Sequence, residues 1–120
     1  MKTQSFGIEI EFTGITRAKA AKVISEYFGA TAAHIGGGYD AYAVEDGEGR
    51  TWKIVRDASI AIERGEQVEL VSPICRYEDI ETIQELVRKL RAAGARSNSS
   101  CGIHYAKKYV MLSNPIFPAV

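Results

Sequence analysis

The sequence predicts an α+β fold, in which a largely antiparallel sheet of about five to six strands packs against two helices. The N-terminal segment alternates apolar and polar residues with the period of a strand, and two later segments repeat apolar residues with the period of a helix. The other segments are typical of short strands, and two of them surround a glycine-containing turn. This order of elements favours an antiparallel sheet.

The first strand is predicted by strict alternation over residues 5–13. Its apolar positions share one face and its polar or small positions share the other, which is typical of a strand that buries one side. The apolar face carries Phe6, Ile8, Ile10 and Phe12, and the opposite face carries Gly7, Glu9, Glu11 and Thr13.

Both helices have recognisable ends. We predict the first helix over Arg17–Phe28, with Thr16 as its N-cap and Gly29 as a left-handed C-cap. An apolar stripe predicts the second helix over residues 79–93, and Gly94 ends it. Acidic residues occupy its first turn and basic residues its last, an arrangement that suits the helix dipole.

The remaining strands are shorter and are separated by loops. Gly47 and Gly49 flank Glu48 and are expected to supply the positive φ values of a hairpin turn. Residues 57–65 are expected to form a loop or irregular turn. The strands are predicted over residues 30–35, 39–45, 50–56, 66–74, 101–105 and 109–112.

Length, composition and charge indicate one ordinary globular domain over residues 1–120. The chain is 46% hydrophobic and 25% charged, as in most soluble domains. Fifteen basic residues balance fifteen acidic ones, so the basic excess of a general nucleic-acid or membrane-surface binder is absent. We therefore expect neither nucleic acid nor a membrane as a partner.

The lack of a recognisable targeting signal and the small number of cysteines lead us to expect a cytoplasmic protein. No apolar run approaches the length of a membrane-spanning helix, and the N-terminus lacks the pattern of a signal peptide. Cys75 and Cys101 are the two cysteines, and in a cytoplasm both are expected to be reduced. A disulfide between them is the less favoured alternative.

Three glutamates are the first candidate site residues. Glu9 and Glu11 lie two apart on one strand face, roughly 6.5–7 Å from each other along the strand. Glutamate has low strand propensity, so the pair indicates either a solvent-facing strand or oxygen ligands for Mg²⁺. Glu69 lies between apolar residues of another predicted strand, where it faces solvent or adds a third carboxylate.

Several further residues have both a structural and a functional interpretation. Lys53, Arg56 and Arg64 are candidate phosphate contacts or plain surface charges, and Asp57 and Ser59 cap a turn or line a site. His104 is a structural residue or a ligand. Cys101 and His104 could also act as a nucleophile and its base, although no third orienting group is evident.

Four segments, in this order, resemble the amidoligase family of the carboxylate–amine ligase superfamily, which includes glutamine synthetase and glutamate–cysteine ligase. They are residues 6–12 (FGIEIEF), 52–59 (WKIVRDAS), 69–74 (ELVSPI) and 100–104 (SCGIH). The resemblance covers residues 5–104. Each segment alone is short, and it is their order and spacing that make the resemblance specific.

The resemblance implies a glutamine-synthetase-like catalytic domain, whose sheet underlies ATP and two or more Mg²⁺ or Mn²⁺ ions. ATP phosphorylates a small-molecule or peptide carboxylate, and an amine then displaces phosphate to form an amide. The implied metal ligands are Glu9, Glu11, Glu69 and His104, with His104 also near the nucleotide. Lys53 and Arg56 are the candidate cofactor contacts, and Asp57 and Ser59 match a segment expected to be catalytic.

The chain departs from the family pattern after His104. Family members continue into a second histidine two residues later, whereas this chain has Tyr105 and Ala106, and residues 107–120 match no part of the pattern. We interpret the chain as the N-terminal portion of such a ligase, partial and truncated. The alternative is a non-catalytic binding module or self-associating homo-oligomer with an apolar tail. That tail contains Ile116, Phe117 and Val120.

Overall fold

The structure is a computed structural model that describes residues 5–62 and 64–107. Over these residues it contains one seven-stranded sheet and two α-helices, which confirms the α+β class and the antiparallel sheet. The strands are β1 Ser5–Phe12, β2 Ala33–Gly36, β3 Ala41–Glu45, β4 Thr51–Val55, β5 Val68–Val71, β6 Cys75–Arg76 and β7 Ile103–Lys107. The helices are α1 Arg17–Phe28 and α2 Ile80–Ala92, and a 3₁₀ turn, Tyr77–Asp79, precedes α2.

Strand β1 is paired along both of its edges. Ile10 is opposite Leu70 of β5 and Ile103 of β7, so these strands lie on opposite sides of β1. β6 shares the edge used by β5, with the register shifted by one residue. Strands β4, β3 and β2 extend the sheet outward from β5, and every pairing is antiparallel.

The core lies between one face of the sheet and the two helices. The apolar side chains of β1 are at most 8% exposed, as the alternation predicts. α1 packs on β3 and β4 and also contacts α2. The other core side chains include Ile24, Val44, Trp52, Ile54, Val68, Leu70, Ile83, Leu86 and Leu90. The opposite face of the sheet carries no helix among the described residues.

Helix α1 begins and ends at the predicted residues. The Thr16 side chain accepts a hydrogen bond from the Lys19 backbone N–H at 3.0 Å, which satisfies one of the free donors at the N-terminus. Gly29 adopts the left-handed conformation with φ 67°, and its N–H donates to carbonyls of the last turn. Caps of this kind depend on local sequence alone, and both predictions are confirmed.

Two predictions around the β3–β4 hairpin were wrong, one for a strand boundary and one for a turn residue. β3 begins at Ala41 rather than residue 39, because Asp40 adopts a left-handed φ of 46°. Its carboxylate is held there by Arg17 at 2.9 Å and by His34 at 2.7 Å. In the hairpin between β3 and β4, Gly49 alone has a positive φ, so the expectation for Gly47 was wrong.

The predicted strand over residues 66–74 is shorter in the structure, where β5 ends at Val71 and β6 begins beyond the predicted range, at Cys75. The Ser72 backbone N–H donates to the Ile8 carbonyl oxygen at 2.9 Å, and the Ser72 hydroxyl accepts from the Ile8 N–H at 2.9 Å. A side chain therefore replaces a main-chain partner at this point, and the register shifts. The predicted strand over 109–112 and the apolar tail lie outside the described residues.

The described residues include two α-helices and two cysteines. None of these helices has both the length and the apolar character required to cross a bilayer. Cys75 is buried, Cys101 is half-buried, and each is a free thiol, so the alternative of a disulfide between them is not observed.

A network of ion pairs joins the β3–β4 hairpin to the start of α2. Arg50 donates to both carboxylate oxygens of Asp79 at 2.9 Å and to Asp46 at 3.0 Å. The indole N–H of Trp52, which is fully buried, donates to Asp46 at 2.9 Å. The hydrogen bonds from Arg50 lower the pKa of Asp79, so the pair remains ionised and bidentate at neutral pH.

Replacing Asp79 by Ala is expected to lower the free energy of unfolding by about 2–3 kcal/mol, because Arg50 would keep a partly buried charge without its bidentate partner. Urea-induced unfolding measures this loss. Arg88→Ala is the matched control, since its exposed pair with Glu85 at 2.7 Å is expected to contribute less than about 0.5 kcal/mol. Similar losses in the two variants would contradict the role given to the network.

Candidate functional site

The open face of the sheet carries carboxylates from neighbouring strands. Glu11 of β1 lies opposite Glu69 of β5, which in turn lies opposite Val55 of β4. These positions alternate with the buried ones, so their side chains point away from the helices. Asp57 follows β4 by two residues and continues the face of Val55. The register therefore places three acidic side chains at one end of this face.

We call Glu11, Asp57 and Glu69 the acidic cluster. Each offers one carboxylate oxygen, and these oxygens all lie within 4.8 Å of one another. All three residues are half-buried. Among the described residues, no arginine or lysine forms an ion pair with any of them. Three carboxylates held this close without a basic partner repel one another.

Among the three clustered residues, Glu69 has the pKa that is raised most. Burial raises its pKa to about 7, and the negative charges of Glu9, Asp57 and Glu11 contribute in the same direction. Glu9 itself is exposed, lies opposite Val71 and is not one of the three clustered residues. Without a cation, Glu69 therefore exchanges its proton near neutral pH.

Glu11 has a backbone donor on one carboxylate oxygen and an imidazole near the other. Burial raises the pKa of Glu11, and the nearby Asp57 carboxylate raises it further. The Gly102 backbone N–H donates to Glu11 Oε1 at 2.9 Å and opposes this shift. His104 Nε2 lies 3.7 Å from Oε2, with the imidazole side chain 62% exposed.

Asp57 has the opposite electrostatic environment. The Ser59 backbone N–H and hydroxyl both donate to its Oδ1, at 2.9 and 2.7 Å, and these bonds lower its pKa. The pKa of Asp57 is therefore shifted in the opposite direction to that of Glu11. Ser59 contacts the acidic cluster at Asp57.

The predicted basic residues are distributed unevenly around the acidic cluster. Lys53 lies on the open face, opposite Val71 of the neighbouring strand. Arg56 is exposed, and its backbone N–H donates to the Tyr39 carbonyl oxygen. Arg64 lies beside Thr13, whose hydroxyl donates to the Arg64 carbonyl oxygen at 2.8 Å. No described contact joins Arg56 or Arg64 to the three carboxylates.

The thiol interpretation lacks the contact that it requires. Cys101 Sγ lies 3.6 Å from Asn98 Oδ1, whereas the His104 ring is directed toward Glu11. In the described part of the chain no contact joins Cys101 to His104. A nucleophile and its base need hydrogen-bond reach, so the geometry does not favour this alternative.

Sequence reasoning missed the backbone of Gly102 as a functional group. A Cβ at this position would lie 3.3 Å from His104 Nε2 and 3.7 Å from Glu11 Oε1, so glycine leaves room for both side chains. An N–H donor to a residue 91 positions earlier leaves no sequence pattern.

The acidic cluster fits a hard divalent cation. Its donors are carboxylate oxygens, the ligand type that Mg²⁺ and Mn²⁺ accept, and they converge without a basic side chain between them. A cation would remove the repulsion that raises the pKa of Glu69, so binding and deprotonation of this residue are linked.

In the metal-free protein, stability is expected to fall as pH rises from 4.5 through about 7, because the folded state retains a proton on Glu69 that the unfolded state releases. Glu69→Gln should flatten this dependence and raise the thermal midpoint at pH 8. Thermal unfolding in a chelator between pH 5 and pH 8 measures both. Glu26→Gln, an exposed change on α1, should retain the wild-type slope; a wild-type slope in Glu69→Gln would contradict the assignment.

Comparison with known proteins identifies the family. A family model described as "putative amidoligase enzyme" matches residues 2–105 of the 120-residue chain, a range that includes the whole acidic cluster and His104. Searches of curated proteins and of solved structures return no significant match. The family match spans most of the sequence, and the chain therefore belongs to this amidoligase family.

Proposed function

We propose that the chain carries the metal and nucleotide site of an ATP-dependent carboxylate–amine ligase that forms an amide through an acyl phosphate. The observation that carries this proposal is the convergence of Glu11, Asp57 and Glu69 on the open sheet face of an amidoligase-family chain. The expected cation is Mg²⁺ or Mn²⁺. The expected substrates are a small-molecule or peptide carboxylate and an amine.

Charge balance supports ATP as the partner of this face. ATP is a polyanion, and an acidic cluster alone would repel it. A hard divalent cation held by Glu11, Asp57 and Glu69 would offset most of the local negative charge and supply open positions for phosphate oxygens. When bound, such a cation draws charge from the transferring phosphoryl group. A site of this kind needs no side-chain nucleophile.

The residues around the acidic cluster orient its oxygens. Ser59 donates two hydrogen bonds to Asp57 Oδ1, and Gly102 donates one to Glu11 Oε1. Each leaves the second oxygen of that carboxylate available to a cation. Carboxylates fixed in this way lose less rotational freedom on binding, which favours affinity and a defined geometry.

Lys53 and His104 are the residues that we assign to the phosphate chain. Glu9 lies opposite both Val71 of β5 and His104 of β7, and Val71 lies opposite Lys53 of β4. The two cationic or polar groups therefore flank Glu9 and the acidic cluster on one face. Glu9 is a candidate ligand for a second cation, since its exposed carboxylate can reach an ion on the solvent side.

Mn²⁺ binding is expected to weaken at least about tenfold in each of Glu11→Gln, Asp57→Asn and Glu69→Gln, a loss seen even for supporting residues of metal sites. In wild type, the affinity should increase as pH rises through about 7, because Glu69 must ionise. Isothermal titration calorimetry measures both effects. Glu26→Gln is the control, because it also removes one negative charge but lies away from the acidic cluster. An equal loss of Mn²⁺ affinity in this variant would overturn the assignment.

ATP binding should require Mg²⁺ and should be lost in Glu11→Gln, because the phosphates reach the site through the cation. Calorimetry with a non-hydrolysable ATP analogue, with and without Mg²⁺, tests this step. Turnover is tested by ADP release with hydroxylamine as the amine and a panel of amino acids and dipeptides as acids. Metal-independent nucleotide binding, or none at all, would count against the ligase.

A further inference from the structure

Two loops meet beside the acidic cluster, and each places one group next to Glu11. The first, residues 57–62, begins with Asp57. The second, residues 97–102, ends with Gly102, whose N–H donates to Glu11. Glu11 therefore has one neighbour from each loop, since Asp57 also lies beside it, with carboxylate oxygens of the two residues within 4.8 Å of each other. The separation of the two loops sets the distance between these neighbours.

Side chains of the second loop bind the main chain of the first. The Asn98 amide Nδ2 donates to the Ala61 carbonyl oxygen at 2.9 Å, and the Ala61 N–H donates to the Ser100 hydroxyl at 2.8 Å. The backbone N–H and carbonyl of Ala61 are thus both hydrogen-bonded to side chains of the other loop. We call this pair of interactions the Asn98–Ser100 clasp.

The clasp is rigid within its own loop. Asn98 Oδ1 accepts hydrogen bonds from the Ser100 N–H at 2.9 Å and from the Ser100 hydroxyl at 2.5 Å. The Ser100 hydroxyl therefore donates to Asn98 and accepts from Ala61, which uses its single proton and one lone pair. Such a chain of bonds has one arrangement of donors and acceptors, so the two side chains orient each other.

The first loop is also fixed on its other side. The Gln67 amide Nε2 donates to the carbonyl oxygens of Ala58 and Ile60, at 3.1 and 2.8 Å, and Gln67 directly precedes β5. Asp57 is thereby connected to the strand that carries Glu69, and the clasp connects the same loop to Gly102. The first loop is therefore fixed on one side to the strand that carries Glu69 and on the other to the loop that carries Gly102.

We propose that Asn98 and Ser100 are positioning residues, whose hydrogen bonds to Ala61 hold the two loops together and keep Asp57 and the Gly102 N–H on Glu11. This inference rests on the proposed function for its metal readout. Ala61 is exposed, and Asn98 and Ser100 are half-buried. Hydrogen bonds this close to solvent contribute little to global stability, so their effect is expected at the site rather than in the fold.

Ser100→Ala and Ser100→Thr form the decisive pair of variants, because threonine retains the hydroxyl that accepts from Ala61. In Ser100→Ala, the Mn²⁺ dissociation constant is expected to rise about fivefold, the ratio that one net hydrogen bond corresponds to. Amide hydrogen exchange at Gly102 is expected to accelerate at least about threefold, in the same range. Ser100→Thr should stay close to wild type in both measurements.

Ser99→Ala is the control, since Ser99 is exposed and forms no side-chain hydrogen bond among the described residues. The clasp is overturned if Gly102 exchange is unchanged in Ser100→Ala, or if Ser99→Ala produces the same changes. A thermal midpoint close to wild type, together with weaker Mn²⁺ binding and faster Gly102 exchange in Ser100→Ala, supports it. If wild type binds no Mn²⁺, the proposed function fails, while the exchange measurement on the metal-free chain still decides the clasp.

Discussion

Backbone pairing of β1 along both of its edges is the constraint on which the site and the core both depend. Because side chains alternate along a strand, this pairing sends the phenylalanines and isoleucines of β1 into the core and its glutamates to the open face. A slip of one residue would exchange the two faces, burying carboxylates and exposing the core. The apolar face thus supplies the free energy that holds Glu11 opposite Glu69.

The end of β1 is fixed by close approaches of main chain. Thr13 exchanges two backbone hydrogen bonds with Arg96, at 2.8 and 2.7 Å. A Cβ at Gly65 would lie 2.6 Å from the Ile15 N atom, and the φ of Gly65 is 77°, so glycine is required there for two reasons. These contacts hold the segments around Gly65 and Arg96 against the end of β1. They therefore limit how far the residues of the acidic cluster can separate.

Two sets of acidic residues in the described part of the chain have opposite electrostatic environments. Asp40, Asp46 and Asp79 each have an arginine partner, and their pKa values are lowered. Glu11 and Glu69 have no such partner among the described residues, and their pKa values are raised. The first group stabilises the fold. The second destabilises the metal-free protein at neutral pH, which is the cost expected of a site built for a cation.

Local pattern was sufficient for the elements whose ends are set by nearby residues. The boundaries of α1, the alternation of β1 and the α+β class could all be predicted, because caps and strand periodicity act over a few residues. The start of β3 could not, since Asp40 is held by Arg17, which is 23 positions away. Partners at that separation leave no mark on the sequence around residue 40.

The sequence by itself determined that Glu9 and Glu11 share a polar strand face and offered Asp57, Glu69 and His104 as further candidates, to which the resemblance gave roles. The tertiary structure decided which of them converge. Glu11 joins the acidic cluster because antiparallel register sets it opposite Glu69, whereas Glu9 lies opposite Val71. Register is fixed by packing and by long-range hydrogen bonds rather than by periodicity, so only the folded chain could distinguish the two glutamates.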